Sequence, residues 1–590
     1  MVHKVAVSLC CVGLAASVTV LGQEWPAGRV GVPMDWSHRH QIFPQPRDFS
    51  RLREIQADPR YWHQVYTRSM RVTETSGRRL QPEGARYLPP RTLGGSSGLP
   101  KVDWGESMGG AALSFTGLQS YPAKYSFNVA NPVPNCTSDY AVFTLPTATT
   151  TRFNLIAFKN LYVDNAGTGS CSGTLPLPLF AYNISQIGGT LNSSPSLSLD
   201  GTQIAVVESG TSSQFHVVKW RAGDVSGVFG SPYNAIKMTN CATNGAAAPC
   251  EWSLNYSSTK STLGAPYIDY QNDTAYVTDD NGNVTAIKPV FGGGAPAVLW
   301  TVAISGGKTL TPPVYDSVSK NVFVADGSGN LYYVRTAASA AGSCASGTTP
   351  CQGSATLNAG GGKAVSDAPL VDSTNGTVFV FSPGSPGGAN SSVVQTNTTL
   401  TTTTVATVGN VGTNPVYSGA FSNSYYTAPG TGVLYACGIG TTGNIPQLYG
   451  ITFSGSAMTS GPATYGPLSL STSSAGGCGS LAEVYNQSLG KDELYSSITN
   501  RCSASITTGC VRQFDITAGF PAAAANIVSE AGGTLGIIVD NVTNALRGNA
   551  SETNIYFMTR SSQTCSEHTG GTATSSASSC AVKLTQAALQ

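Results

Sequence analysis

Residues 264–302 read GAPYIDYQNDTAYVTDDNGNVTAIKPVFGGGAPAVLWTV. Pro266-Tyr267-Ile268-Asp269 reads as a short strand, and Thr274 to Asp280 as a second, β-rich one. Asn281-Gly282 is the dipeptide that type I′ hairpins favour, because both central residues need a positive φ. Asn283 to Lys288 then returns as a third strand, and Leu299-Trp300-Thr301-Val302 follows as a fourth. Four short antiparallel strands of this kind make one blade of a β-propeller.

The same pattern recurs along the chain. Pro266, Asp269, Tyr276, Val277, Gly282 and Asn283 match Pro313, Asp316, Phe323, Val324, Gly329 and Asn330 at a constant offset of 47 with no gap. Pro369, Asp372, Phe379 and Val380 repeat the first part 56 residues further on. Upstream, Pro195, Ser198, Ala205 and Val206 precede the quoted unit by 71, with Ser198 in place of Asp269. Each unit opens on a proline, which tolerates the start of a strand where no ladder N–H is needed.

Weaker copies start at Pro415, Gly477 and Leu535, and a further set of strands runs over Asp139 to Leu145, Phe153 to Phe158 and Leu179 to Ile184. The expected fold is therefore all-β, a single closed β-propeller of eight blades, with seven as the alternative. The last unit shows only three evident strands, so Tyr125 to Val129 is expected to supply its outer strand and close the ring.

The DTAYVTDDNGNVTAIKP run followed by LWTV resembles quinoprotein-like and YVTN-like (WD40-like) propeller repeats. SPSLSLDGTQIAVVES is similar to the S-x-D-G hairpin of TolB-type propellers. Taken with Pro122 to Phe127, Cys136 to Tyr140 and Cys580 to Leu584, residues 102–590 resemble a group of bacterial secreted propeller proteins without an assigned activity. The resemblance implies the fold and little about function, since propellers host unrelated activities.

Composition narrows the class. Charged residues are 11% of 590, glycines number 67, and the net charge of +1 gives no reason to expect nucleic acid. Met1 to Gly22, with His3-Lys4 before an apolar run, reads as a secretory signal peptide. No later stretch approaches the ~20 apolar residues of a membrane span. Three segments follow: 1–22 signal, 23–101 N-terminal extension and linker, and 102–590 propeller. The expected location is secreted, periplasmic or cell-surface.

The extension has helical character over Asp48 to Met70, with Asp58-Pro59 opening a second short helix. It holds His38, His40 and His63, three of six histidines. Asp35-Trp36-Ser37-His38-Arg39-His40 could ligate a metal, but it lacks a partner carboxylate pattern and reads better as a polar segment packed on the propeller surface.

Two of fourteen cysteines, Cys10 and Cys11, lie in the signal. The remaining twelve fall as neighbours: Cys136 and Cys171, Cys241 and Cys250, Cys344 and Cys351, Cys437 and Cys478, Cys502 and Cys510, Cys565 and Cys580. In an oxidising compartment this order suggests local disulfides. No C-x₂-C pair follows the signal, which argues against zinc.

A quinone-dependent dehydrogenase, the enzyme the resemblance suggests, needs adjacent cysteines that the mature chain lacks. Gly94-Gly95-Ser96-Ser97-Gly98 matches G-x-S-x-G by letter but follows no strand. Asp279 to Asn283 offers oxygens to a structural calcium ion, although a hairpin accounts for the same residues. His216 reads as a strand residue. No cofactor is expected. Two functions remain: a non-enzymatic scaffold binding a protein or carbohydrate ligand, or a secreted hydrolase or lyase whose site assembles at the propeller axis.

Overall fold

The computed structural model describes residues 32–585 apart from 47–48, 69–71, 74–78, 81–100, 109–119, 127–133, 148–151, 165–166, 168, 226–235, 244, 337–350, 353–356, 429, 441–443, 488, 543–551 and 566–577. The signal peptide, Gly94–Gly98 and the Cys344–Cys351 pairing thus lie outside the described residues. The chain is all-β, with four short helices among the described residues.

The quoted stretch forms one antiparallel sheet, sheet 3: Tyr267–Asp269, Thr274–Thr278, Asn283–Lys288 and Ala297–Ala303. Sheet 2 is Ser196–Leu197, Gln203–Ser209, Ser213–Lys219 and Cys250–Ser257. Sheet 4 starts with Val314–Asp316, Asn321–Ala325 and Asn330–Arg335. Sheet 1 is built on Ala123–Ser126, Tyr140–Thr144, Leu155–Lys159 and Leu177–Asn183.

Sheet 5 (Leu370–Asp372, Thr377–Ser382, Asn390–Asn397, Thr404–Asn410) and sheet 6 (Ala420–Phe421, Val433–Ile439, Pro446–Ser454, Tyr465–Ser469) are joined by parallel pairing at Gly409 and Ile439. Sheet 7 is Ala482–Asn486, Lys491–Ile498, Cys510–Asp515 and Asn526–Ser529. Sheet 8 is Ile538–Val542, Glu552–Met558, Cys580–Thr585 and Lys101–Ser107.

The repeated aspartate has a local cause. Asp269, Asp316 and Asp372 each end a first strand and accept backbone N–H groups two or three residues on, from Gln271, Val318 and Asn375. Such Asx contacts turn the chain into the next strand. Ser198 replaces the aspartate because its hydroxyl accepts from Gln203 N at 2.9 Å and serves the same turn.

The Asn281-Gly282 turn differs from the expected type I′. Gly282 has φ +84° and Asn281 is not left-handed. Asp279 N donates to Asn283 O, and the Asp279 carboxylate accepts from the backbone N–H of both Asn281 and Asn283. The result is a three-residue loop with glycine in the αL position, a geometry that a carboxylate anchor favours over the two-residue turn. The same carboxylate takes Ser257 Oγ at 2.6 Å, so the candidate calcium ligand is engaged within the fold.

The closing strand is corrected. Cys580–Thr585 pairs antiparallel with Lys101–Ser107, not with Tyr125 to Val129. Ala123–Ser126 is instead the first strand of sheet 1, paired with Tyr140–Thr144 and with Val32–Met34, and 127–133 lies outside the described residues. Lys101–Ser107 escaped notice because Asp103 and Glu106 look solvent-facing in sequence. Both are buried, and Lys583 Nζ meets Asp103 Oδ2 at 2.8 Å.

Among the described residues five disulfides are present: Cys136–Cys171, Cys241–Cys250, Cys437–Cys478, Cys502–Cys510 and Cys565–Cys580. Cys437–Cys478 links sheet 6 to the lead into sheet 7. No described helix is long and apolar enough to cross a membrane.

Asp103→Ala is expected to destabilise the protein by about 3–5 kcal/mol, because it strands the buried Lys583 ammonium. Chemical denaturation checks this, and a loss below about 1 kcal/mol, the range of an exposed pair, would show that the pair is hydrated.

Candidate functional site

One set of charged side chains that meet in the core, Asp35, Asp58 and Arg60, comes from the N-terminal extension. This corrects the expectation of a segment lying on the surface. Val32–Met34 adds to sheet 1, and Gln41–Ile42 pairs parallel with Leu370–Asp372 of sheet 5. Between them Asp35 Oδ1 accepts from Ser37 N at 2.9 Å and starts a single helical turn, Ser37–His40. Trp36 is 1% exposed and donates Nε1–H to Pro266 O at 3.1 Å, at the start of sheet 3.

A second helix, Pro59–Arg68, begins at the Asp58-Pro59 pair, as its sequence leads one to expect. Asp58 Oδ1 accepts from Arg60 N at 2.9 Å, and proline at the first position loses no bond. The helix buries Arg60, His63 and Gln64 together with Tyr61 and Val65, so its polar residues do not mark a solvent face.

Arg60 is the centre of this arrangement. Its Nε donates to Ser37 Oγ at 2.7 Å, Nη1 meets both Asp58 oxygens at 3.2 Å, and Nη2 donates to Ile268 O at 3.0 Å. The guanidinium also lies 4.3 Å from the Tyr267 ring centre and 5.1 Å from that of Tyr270. Burial opposes its charge, but Tyr267 and Asp58 outweigh burial and hold the pKa above its ordinary value. At the far end of the helix, Arg68 bonds both Glu483 oxygens of sheet 7 and stacks 3.7 Å over Tyr426. The extension thus ties sheets 1, 3, 5 and 7 together.

His40 and Asp367 form the closest approach to a catalytic set. The Asp367 Oδ2 atom accepts from Ser418 N, Ser418 Oγ and Ser480 Oγ at 2.7–2.9 Å. His40 Nδ1 lies 3.1 Å from Ala368 O, which only accepts, so this nitrogen carries the proton. Its Nε2 sits 3.9 Å from Asp367 Oδ1. A Ser-His-Asp relay needs the hydroxyl bonded to the imidazole and the imidazole to the carboxylate. Here both hydroxyls bond the carboxylate instead. All four side chains are buried.

Burial lowers the pKa of His40 below its usual value, against the opposing charge of Asp367. Burial and electrostatic repulsion from His38, Arg68 and Lys124 push His63 well below its own, the His38 ring lying 5.0 Å away. Both rings are held neutral.

His216 is the opposite case. It lies in Ser213–Lys219, fully buried, with Nε2 3.1 Å from Glu208 and Nδ1 3.3 Å from Glu251. Burial works against its charge, but hydrogen bonds to both carboxylates raise its pKa from 6.5 to about 9. Glu208 is lowered to about 2 despite burial, by His216, by Ser185 and by the Gln186 N–H.

Sequence reasoning singled out His38, His40 and His216 but missed Arg60, Arg68, Asp367 and Glu483. The spacing of Arg60, His63 and Gln64 on one helical face was the available signal. Among the described residues no group of three or more His, Cys, Asp or Glu could hold a metal ion.

No family model and no curated protein sequence matches the chain. Solved structures overlap it loosely. BamB from Moraxella catarrhalis aligns with TM-score 0.37 and 9% identity, over 80% of this chain and 96% of its own. Sqt1 of Saccharomyces cerevisiae gives 0.43 and 10%, over 78% and 96%. The C-terminal WD40 domain of Sif2 gives 0.42 and 9%, over 83% and 99%. The strand pairing described above stands independently of them.

Two pH limbs are expected. His40 and His63 have depressed pKa values in the fold, so the unfolded chain binds more protons and stability falls as pH drops below 6.5. His63→Gln is expected to flatten this acid limb in melts between pH 7 and 4; an unchanged slope would assign the limb to other groups. His216 contributes stability that is complete below its unfolded value of 6.5 and lost as pH rises through about 9. His216→Gln should therefore destabilise at pH 6 far more than at pH 10, and equal losses would mean an uncharged ring.

Proposed function

We propose that the chain is a secreted or cell-surface propeller scaffold that binds a protein or a glycan on its faces and rim, with no chemistry at its axis. One observation carries this reading: residues 35–43 and 58–68 are largely buried, with bonds to the first strands of sheets 3, 5 and 7. Their charged groups bond each other and the surrounding strands.

Eight blades in one closed ring is the architecture that the contacts support. First strands adjoin from sheet 3 to 4 to 5 and from 6 to 7 to 8. Ser196 Oγ donates to Pro266 O between sheets 2 and 3, and Tyr425 OH to Asp372 between sheets 6 and 5. Lys124 of sheet 1 meets Asp540 of sheet 8 at 2.9 Å. Sheet 8 takes its outer strand from Lys101–Ser107, the manner in which propellers avoid a free edge. On this reading the quinoprotein-like resemblance extends to the fold only. The boundaries are 1–22, 23–101 and 102–590, with the extension serving as an axial plug.

Secretion is supported by the apolar Val5 to Leu21 run and by disulfides that suit an oxidising compartment. The hydrolase or lyase alternative keeps the residue types it needs, but in geometry that serves packing.

Screening the purified mature chain against ester, glycoside and uronate substrates tests this reading. The expected result is no turnover, with Asp367→Asn lowering only the melting temperature. Turnover that Asp367→Asn abolishes, with the fold intact, would overturn the scaffold reading in favour of an axial enzyme.

A further inference from the structure

Between Asp372 and Glu483 the chain carries no Asp, Glu, Lys, Arg or His. This uncharged stretch builds sheet 6 and most of sheet 5. On sheet 6 three positions stand in one row across neighbouring strands: Tyr435 opposite Gly450, and Gly450 opposite Tyr465. The row leaves a slot over the glycine, and Phe520, from the loop after Cys510–Asp515, enters it. Its ring is stacked at 20° and 6.2 Å on Tyr435, and at 21° and 5.9 Å on Tyr465.

A side chain on this glycine would crowd the slot. A Cβ at position 450 would lie 3.0 Å from Phe520 Cδ2 and 3.3 Å from Tyr465 Cβ. The stack therefore begins on a buried ring, Tyr435, and ends on Tyr465, which is 42% exposed. Phe520 covers one face of Tyr465 and fixes its orientation, leaving the outward face available for one more flat group.

Hydroxyls belong to the same part of sheet 6: Thr464 precedes Tyr465 in sequence, and Thr452 is two residues along the strand from Gly450, the register partner of Tyr465. Thr452 Oγ1 lies 3.0 Å from Thr459 Oγ1 and 2.9 Å from Thr464 Oγ1, all on partly or fully exposed residues. A hydroxyl has one donor and two acceptor sites, so this triad keeps free capacity for further bonds. A rigid aromatic face edged by neutral hydroxyls matches a pyranose ring, which has an apolar C–H face and a hydroxyl edge. The stretch offers no cation to a carboxylate or sulfate group and no charge to a charged peptide.

We propose that the outward face of Tyr465, with Thr452, Thr459 and Thr464, is a subsite for one sugar unit of a neutral glycan. This rests on the glycan branch of the scaffold reading. The rival role for Tyr465 is purely structural: covering Gly450 on the sheet face, as aromatic residues do for glycine in strands.

The test is native electrophoresis of the full mature chain through gels containing hydroxyethylcellulose, xyloglucan, galactomannan or starch, with an alginate gel as the charged comparison, followed by titration with the hexasaccharide of the retarding polymer. Wild type is expected to be retarded in at least one gel. Tyr465→Phe, which keeps the ring, should bind within about threefold of wild type. Tyr465→Ala should bind at least about tenfold more weakly, a change of about 1.4 kcal/mol. Circular dichroism and melting confirm that each variant is folded. No retardation of wild type in any neutral gel overturns the proposal, as does retardation by alginate alone. A folded Tyr465→Ala variant that binds like wild type overturns the subsite and leaves the scaffold reading standing. That reading fails separately, through turnover dependent on Asp367.

Discussion

The buried guanidinium of Arg60 is the interaction on which the arrangement of the N-terminal extension depends. A charge removed from water must recover its hydration from fixed partners. Arg60 does so through Ser37, both Asp58 oxygens and Ile268 O, with two tyrosine rings against its faces. These partners come from the helical turn, the second helix and sheet 3. The charge can be satisfied only when all three are in place, so the interaction favours one arrangement of the extension over looser ones.

The same logic recurs at Lys124 and Lys583. Lys124–Asp540 and Lys583–Asp103 are buried ion pairs between segments far apart in sequence, and both lysines lie within 6 Å of the Tyr162 ring centre. Buried pairs contribute modest net stability but penalise mispairing strongly, because a slipped register leaves a charge without its partner. Repeated sheets are similar enough to pair in the wrong order. Charges placed at these junctions distinguish right from wrong contacts better than the shared apolar pattern does.

Between Asp372 and Glu483 the protein carries no charged side chain. Sheets 5 and 6 are held by backbone ladders, serine and threonine hydroxyls and aromatic packing. Such a surface has weak long-range fields and depends on shape and short hydrogen bonds for recognition. That contrast separates an interior with paired charges from a neutral stretch of hydroxyls and aromatic rings.

The sequence by itself determined the strand units. Proline, an apolar triplet, aspartate or serine, and an aromatic-Val pair are local signals, and each has a local cause in strand entry, the Asx turn and alternate burial. It also marked the Asp58-Pro59 helix start for the same reason. The Asn281-Gly282 turn was legible as a hairpin but not in its type, because the deciding contact is a side-chain bond from Asp279. Only the tertiary structure decided where the extension goes and which segment pairs with the last strand. Arg60, His40, Arg68 and Asp103 look like surface residues in a linear reading. Their burial is made favourable by partners 208, 327, 415 and 480 positions away: Ile268, Asp367, Glu483 and Lys583. Pairing over such distances depends on how the sheets are arranged around these residues, and no local pattern encodes it.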